Sequence, residues 1–204
     1  MAINLTKGGR INLEKEAPLM TKVRMGLGWK PNTFNSGSKY DLDVTAFVLK
    51  QDASGKSVML SEEYMIFYNQ TSTPEGSVKH LGDNRTGDGD GDDETILVEL
   101  PLIPAVADEI SFIVTIHDAV ARKQNFGQVP GCYVKMYDAD ATPDADGNLP
   151  VIMQYDLEDD FSNETAVQFG SLYKKDGKWG FKAVGQGFNA GLKEFCEGYG
   201  GSVA

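Results

Sequence analysis

A chain of 204 residues, 41% hydrophobic and 10% aromatic, is large enough for one well-filled core, and a single domain over 1–204 is expected. Thirty acidic against 19 basic residues leave a formal charge of −11, which weighs against nucleic acid as a partner, since phosphates need a basic face. No apolar run reaches the roughly 20 residues that cross a bilayer, and the start Met1-Ala2-Ile3-Asn4-Leu5-Thr6-Lys7 lacks the apolar stretch and cleavage site of a signal peptide.

In chain order the sequence reads as short strands between polar turns, the pattern of an all-β, two-sheet β-sandwich with few, short helices. Strands are predicted over 23–29, 40–50, 57–60 and 64–68. Two runs, 95–100 and 110–116, are apolar on both faces and suit strands buried on both sides. Further strands follow at 133–137, 151–155, 166–174 and 179–184, the last two joined by a Lys175-Asp176-Gly177 hairpin turn. A short helix is expected after Pro104. Another should start at Asn189 as N-cap and stop near Gly198, with Leu192, Phe195, Cys196 and Tyr199 as one apolar stripe docking on a sheet. Cys132 and Cys196 lie far apart in apolar settings and read as buried free thiols of a reducing compartment. The loop 138–148 is acidic, and its Asp144-Ala145-Asp146-Gly147-Asn148 reads as a plain turn.

The chemistry is concentrated between Gly82 and Glu94. Asp83, Asp88, Asp90, Asp92, Asp93 and Glu94 face one cation, Arg85, with Gly82, Gly87, Gly89 and Gly91 interleaved. Two like charges about 4 Å apart repel by about 4 kcal/mol at an effective dielectric near 20. Such packing requires a cation among the acids, or an open and solvated loop. Glycines permit the reversals that bring carboxylates and carbonyls to one point. Hard oxygen donors suit Ca²⁺, with Mg²⁺ second because of its stricter octahedron. The segment has no His or Cys, which argues against zinc and copper. An EF-hand does not fit. With Asp88 at position 1, Asp93 falls where glycine is required, and the flanks read as β. Asp41 and Asp43 add a second pair. At i and i+2 of a strand they point to one face, roughly 7 Å apart. A solvated loop beside a capped strand start is the alternative.

These residues resemble the TerD-domain family of bacterial tellurium-resistance and stress-response proteins. The likeness covers nearly the whole chain: Gly28-Trp29, Asp41-Leu42-Asp43-Val44-Thr45-Ala46-Phe47, the long Asp83–Glu94 motif, Ile116-His117-Asp118-Ala119, Phe126-Gly127-Gln128-Val129, Phe169-Gly170-Ser171-Leu172-Tyr173 and Ala183-Val184-Gly185-Gln186-Gly187. The resemblance implies a β-sandwich holding two Ca²⁺ ions close together. It implies ligands among Asp41, Asp43, Asp83, Asn84, Thr86, Asp88, Asp90, Asp92, Asp93 and Glu94, with some, such as Asn84 and Thr86, contributing backbone oxygen only. It further implies a cytoplasmic, non-enzymatic protein tied to resistance to tellurite and other toxic agents. Its partners would be other ter-type proteins, including a membrane protein that would bring it to the inner membrane's periphery. Lys30 stands where many relatives carry Asp, and Thr45 replaces the family's serine.

The leading functional expectation is a calcium-dependent interaction module. The competing one is a divalent-metal hydrolase of phosphorylated substrates, with His117-Asp118 as a proton-transfer pair. The bland expectation for both His80 and His117 is a strand-end histidine. Direct thiol chemistry on tellurite is disfavoured, because the chain has no paired thiol motif.

Overall fold

The computed structural model describes residues 2–33, 37–157 and 161–202. The strand-and-turn pattern folds into two sheets. The first has the order β1 (Ile3–Asn4), β11 (Val151–Asp156), β10 (Tyr133–Asp138), β3 (Lys22–Gly28), β8 (Glu94–Glu99), β7 (Val78–His80). The second runs β2 (Arg10–Asn12), β13 (Lys178–Phe188), β12 (Ala166–Lys175), β9 (Glu109–Ile116), β4 (Leu42–Gln51), β5 (Ser57–Met59), with β6 (Met65–Ile66) also paired to β4. Neighbours are antiparallel except β1 beside β11. The all-β sandwich expected from the sequence is thus the fold.

Strand β4 shows how the pleat builds the site. Leu42, Val44, Ala46 and Val48 face the sandwich interior, and Phe47 and Leu49 face outward into a second apolar cluster. Asp43 shares the parity of Phe47 and Leu49 and lies nearer the start of the strand. One strand face is therefore acidic at one end and apolar at the other.

The apolar end is covered by the C-terminal helix α3 (Leu192–Gly198), whose Phe195 and Cys196 are buried against Phe47, Leu49, Met59 and Ile113. The stripe read from the sequence docks as expected. The helix begins later, because the Ala190 carbonyl accepts the Thr165 hydroxyl at 2.9 Å and Glu194 accepts the Gly191 N–H at 2.8 Å, so Gly191 and not Asn189 is the cap. Phe195 meets the Phe188 ring edge-on at 4.9 Å. Phe195→Ala should cost about 3 kcal/mol and lower the thermal midpoint by roughly 6–12 °C. A drop of less than a degree in a melting scan would show that the helix is not held by this contact.

Other expectations shift in detail. No helix follows Pro104; Ala107 donates to the Pro104 carbonyl in a turn, Asp108 donates to Leu49, and a single 3-10 turn precedes them at Leu100–Leu102. Two four-residue helices appear instead, α1 (Leu13–Glu16) and α2 (Ala119–Arg122). Strand β9 is buried on both faces as anticipated, whereas the outward Leu97 of β8 is only half-buried. The β12–β13 turn has positive φ at Asp176 (52°) and Gly177 (79°), the type I′ geometry that Asp-Gly favours. Both cysteines are buried, as expected. Among the described residues, no helix is long and apolar enough to cross a membrane.

Candidate metal centre

Three carboxylates meet where the start of β4 faces the glycine-acid loop. Asp41, Asp43 and Asp83 each bring one oxygen to within 4.8 Å of the others. They line an open cavity of about 380 Å³ with Tyr68, Thr86, His117 and Arg122. Asp41 and Asp43 are buried, at 7% and 5% exposure, so the strand pair is desolvated while Asp83 closes it from the solvent side. Asp41 accepts from Arg122 Nη1 at 3.2 Å. His117 Nδ1 lies 3.7 Å from Asp43, and Arg85 Nε donates to Asp83 at 3.1 Å. Burial first, then the charges of Glu94, Asp41 and Asp83, push the Asp43 carboxyl up to about 8, against a pull from Arg122.

Glu94 reaches the same region from the first sheet. It is 1% exposed. One of its oxygens accepts the Val44 N–H at 2.7 Å, capping β4 where β5 and β6 no longer pair with it, and lies 3.5 Å from His80 Nε2. Its other oxygen, Oε1, is buried without a hydrogen-bond partner. A buried carboxylate oxygen without a donor is costly unless a cation or proton satisfies it. Burial raises the Glu94 pKa, partly offset by the facing His80 and the Val44 N–H.

The remaining loop residues divide in two. Asp88 and Asp90 are exposed, Asp88 lying 3.9 Å from Lys39. Asn84 Oδ1 accepts the N–H groups of Thr86 (3.0 Å) and Gly87 (3.1 Å), shaping the turn that Thr86 shares. Asp92 and Asp93 are engaged elsewhere. Asp93 accepts the Trp29 N–H at 2.9 Å and Asn84 Nδ2 at 2.7 Å. Asp92 accepts from Arg24 at 3.2 Å and from Tyr137 at 2.9 Å; burial of the two rings first, then the Asp92 charge, raises the Tyr133 and Tyr137 pKa values. The loop 138–148 is held by donors of its own and of the chain before β3. Asp144 accepts the N–H groups of Asp146 and Asn148, a plain turn as read, and Asp140 accepts from Thr21 and Lys22.

Trp29 ties these parts together. Its indole N–H donates to the Tyr40 carbonyl, next to Asp41, at 3.2 Å. Gly87, at φ +69°, packs on the indole so closely that a methyl there would overlap it. Gly87→Ala thus meets both a backbone and a steric penalty, an expected loss of about 1–3 kcal/mol. Thermal melting with near-ultraviolet dichroism of Trp29 checks this, and an unchanged melt would remove Gly87 from the account.

Of the residues that shape this centre, His80 was expected only as a strand-end histidine, and it does end β7; His117 directly follows β9. Arg122, Arg24, Tyr133 and Tyr137 carried no assignment. The spacing of Tyr133 and Tyr137 on one face of β10, opposite a strand carrying Gly26 and Gly28, is the signal that could have flagged the last two.

A β-sandwich closed at one end by a glycine-acid loop against a strand bearing two buried acids defines a class of acid-ended domain. The chain belongs to the TerD domain family, whose model matches residues 1–199. It is 46% identical over 200 residues to the tellurium resistance protein TerD of Serratia marcescens and 44% identical to the general stress protein 16U of Bacillus subtilis, covering 98% of both chains in each case. A solved homologue of telluride resistance protein (TerD) from Streptomyces coelicolor superposes with a TM-score of 0.69 at 21% identity, over 86% of this chain and 95% of that one, a likeness of fold.

Proposed function

We propose that this chain is a non-enzymatic calcium-binding protein of tellurium and stress resistance, acting as an interaction module that calcium orders. The observation that carries the reading is the convergence of Asp41, Asp43 and Asp83, backed by a buried and unpartnered oxygen of Glu94. The donor set is entirely hard oxygen, which fits calcium in preference to zinc or copper. Asp41, Asp43, Asp83 and Glu94 would hold one ion. The exposed Asp88 and Asp90, with oxygens of Asn84 and Thr86, would serve a second. Bound calcium neutralises the clustered charge and fixes the loop end of the sandwich, and the fixed loops form the surface that other proteins of the same resistance system recognise. The names of close relatives support the resistance role.

Cells lacking the gene and challenged with tellurite test the whole reading. The wild-type gene should restore survival and an Asp41→Asn, Asp43→Asn double variant should not, while capture from lysate should retain partners with calcium and lose them with chelator. Equal survival would separate resistance from the site. His117, lying between Asp43 and Asp118, is the one observation that favours hydrolysis. Phosphatase and nuclease screens with Mg²⁺ or Mn²⁺ should therefore stay at background; turnover abolished by Asp43→Asn would replace the binding reading with the enzymatic one.

A further inference from the structure

Asp92 belongs to the acidic segment by sequence but not by surroundings. The outward face of β3 carries Arg24, Gly26 and Gly28. With no side chain at Gly26, the Asp92 carboxylate lies directly on the sheet, where a methyl on Gly26 would overlap it. In the paired strand β10, Tyr137 stands opposite Arg24 and Tyr133 opposite Gly28, whose missing side chain makes room for the Tyr133 ring. The Tyr137 hydroxyl donates to Asp92 Oδ1 at 2.9 Å. The Tyr133 hydroxyl shares its hydrogen between the Gly91 carbonyl at 2.9 Å and Asp92 Oδ1 at 3.3 Å. Arg24 Nη2 donates to Oδ2 at 3.2 Å, its guanidinium 5.3 Å from the centre of the Tyr137 ring. The Asp92 side chain is left 3% exposed.

A buried carboxylate paired with arginine and two hydroxyls has its charge compensated by the protein itself. Its donors come from the first sheet, whereas Asp41 and Asp43 are carried at the start of β4 in the second. We propose that Asp92 is a latch: it pins the C-terminal base of the glycine-acid loop to β3 and β10, and is a positioning residue for the calcium site instead of one of its ligands. The inference rests on the calcium reading above and departs from what the family resemblance implies for this residue. Its physical role is preorganisation. Residues 83–90 carry glycines whose ordering opposes binding, and a pinned base removes part of that cost before calcium arrives.

Calorimetric titration of the full chain with calcium tests this, using Asp92→Asn, the Tyr133→Phe, Tyr137→Phe pair, and the three changes combined. The tyrosine pair leaves every carboxylate in place. If Asp92 is a latch, each variant binds the wild-type number of ions roughly tenfold more weakly, and the combination is little worse than either alone. If Asp92 is a ligand, Asp92→Asn lowers the ion count while the tyrosine pair binds like wild type, and the proposal is overturned. Should the wild type bind no calcium, the calcium reading fails by itself. The latch is then judged by amide hydrogen exchange at 84–91: faster exchange in both variants sustains it, and wild-type exchange refutes it.

Discussion

Replacing Asp43 by Asn should stabilise the metal-free protein at pH 8 and abolish its stabilisation by calcium. The Asp43 carboxyl is pushed up to about 8 in the fold, from 3.8, by burial and by Glu94, Asp41 and Asp83. The folded chain therefore holds that proton when the unfolded chain has released it. Its contribution to stability is fully present below about pH 4, is lost progressively as pH rises toward 8, and stays lost above. A shift of one unit corresponds to about 1.4 kcal/mol, so the loss across that window amounts to a few kcal/mol. Asn keeps the shape and removes the charge. The thermal midpoint of the metal-free wild type should fall between pH 5 and pH 8, and that of Asp43→Asn should fall less. Some slope should survive, because burial also raises Asp93 and Glu94. Calcium reverses the comparison. A ligand at a hundred times its dissociation constant adds about 2.7 kcal/mol of stability, and only the wild type should gain it. Parallel pH profiles with and without Asp43 would show that this carboxyl is not the strained member of the cluster.

Glu94 separates support of the fold from support of the metal. Glu94→Ala should cost about 2–4 kcal/mol, because it leaves the Val44 N–H without its acceptor and His80 without its facing carboxylate in the interior. Glu94→Gln still offers one oxygen to Val44 and should melt within about 1 kcal/mol of wild type. It removes the negative charge beside Asp43, however, so calcium should bind at least tenfold more weakly. Melting and calcium titration of the two variants give the answer. If Glu94→Gln bound calcium like wild type, Glu94 would be a structural bridge between the sheets and no more.

The fold was legible because its larger strands are long enough to show their period. The branched and aromatic content of β4 and the apolar faces of β9 are visible in the residues themselves. β1, β2 and β7 have two or three residues each, too few for a period, and they pair only because a longer neighbour presents an edge. α2 is a single turn between Asp118 and Lys123, both at positive φ, and neither residue announces that conformation. The acidic end was legible in outline. Strand parity pairs Asp41 with Asp43 and the glycines let the loop's acids converge, but what joined the pair to the loop was the family resemblance. The division of the loop's acids was hidden, because it depends on which register places Tyr133 and Tyr137 opposite Gly28 and Arg24, and so on which carboxylates find donors. Arg122, which donates to Asp41 across 81 positions of sequence, left no local trace at all.

The most direct test of the calcium reading is titration calorimetry of the purified, chelator-treated chain at pH 7.5, beside its Asp41→Asn, Asp43→Asn double variant. Calcium should give saturable heat in the wild type, with proton release that scales with buffer ionisation enthalpy as Asp43 gives up its proton, and both should be lost in the variant. Equal calcium heats in the two proteins, or none in the wild type, would contradict the calcium reading.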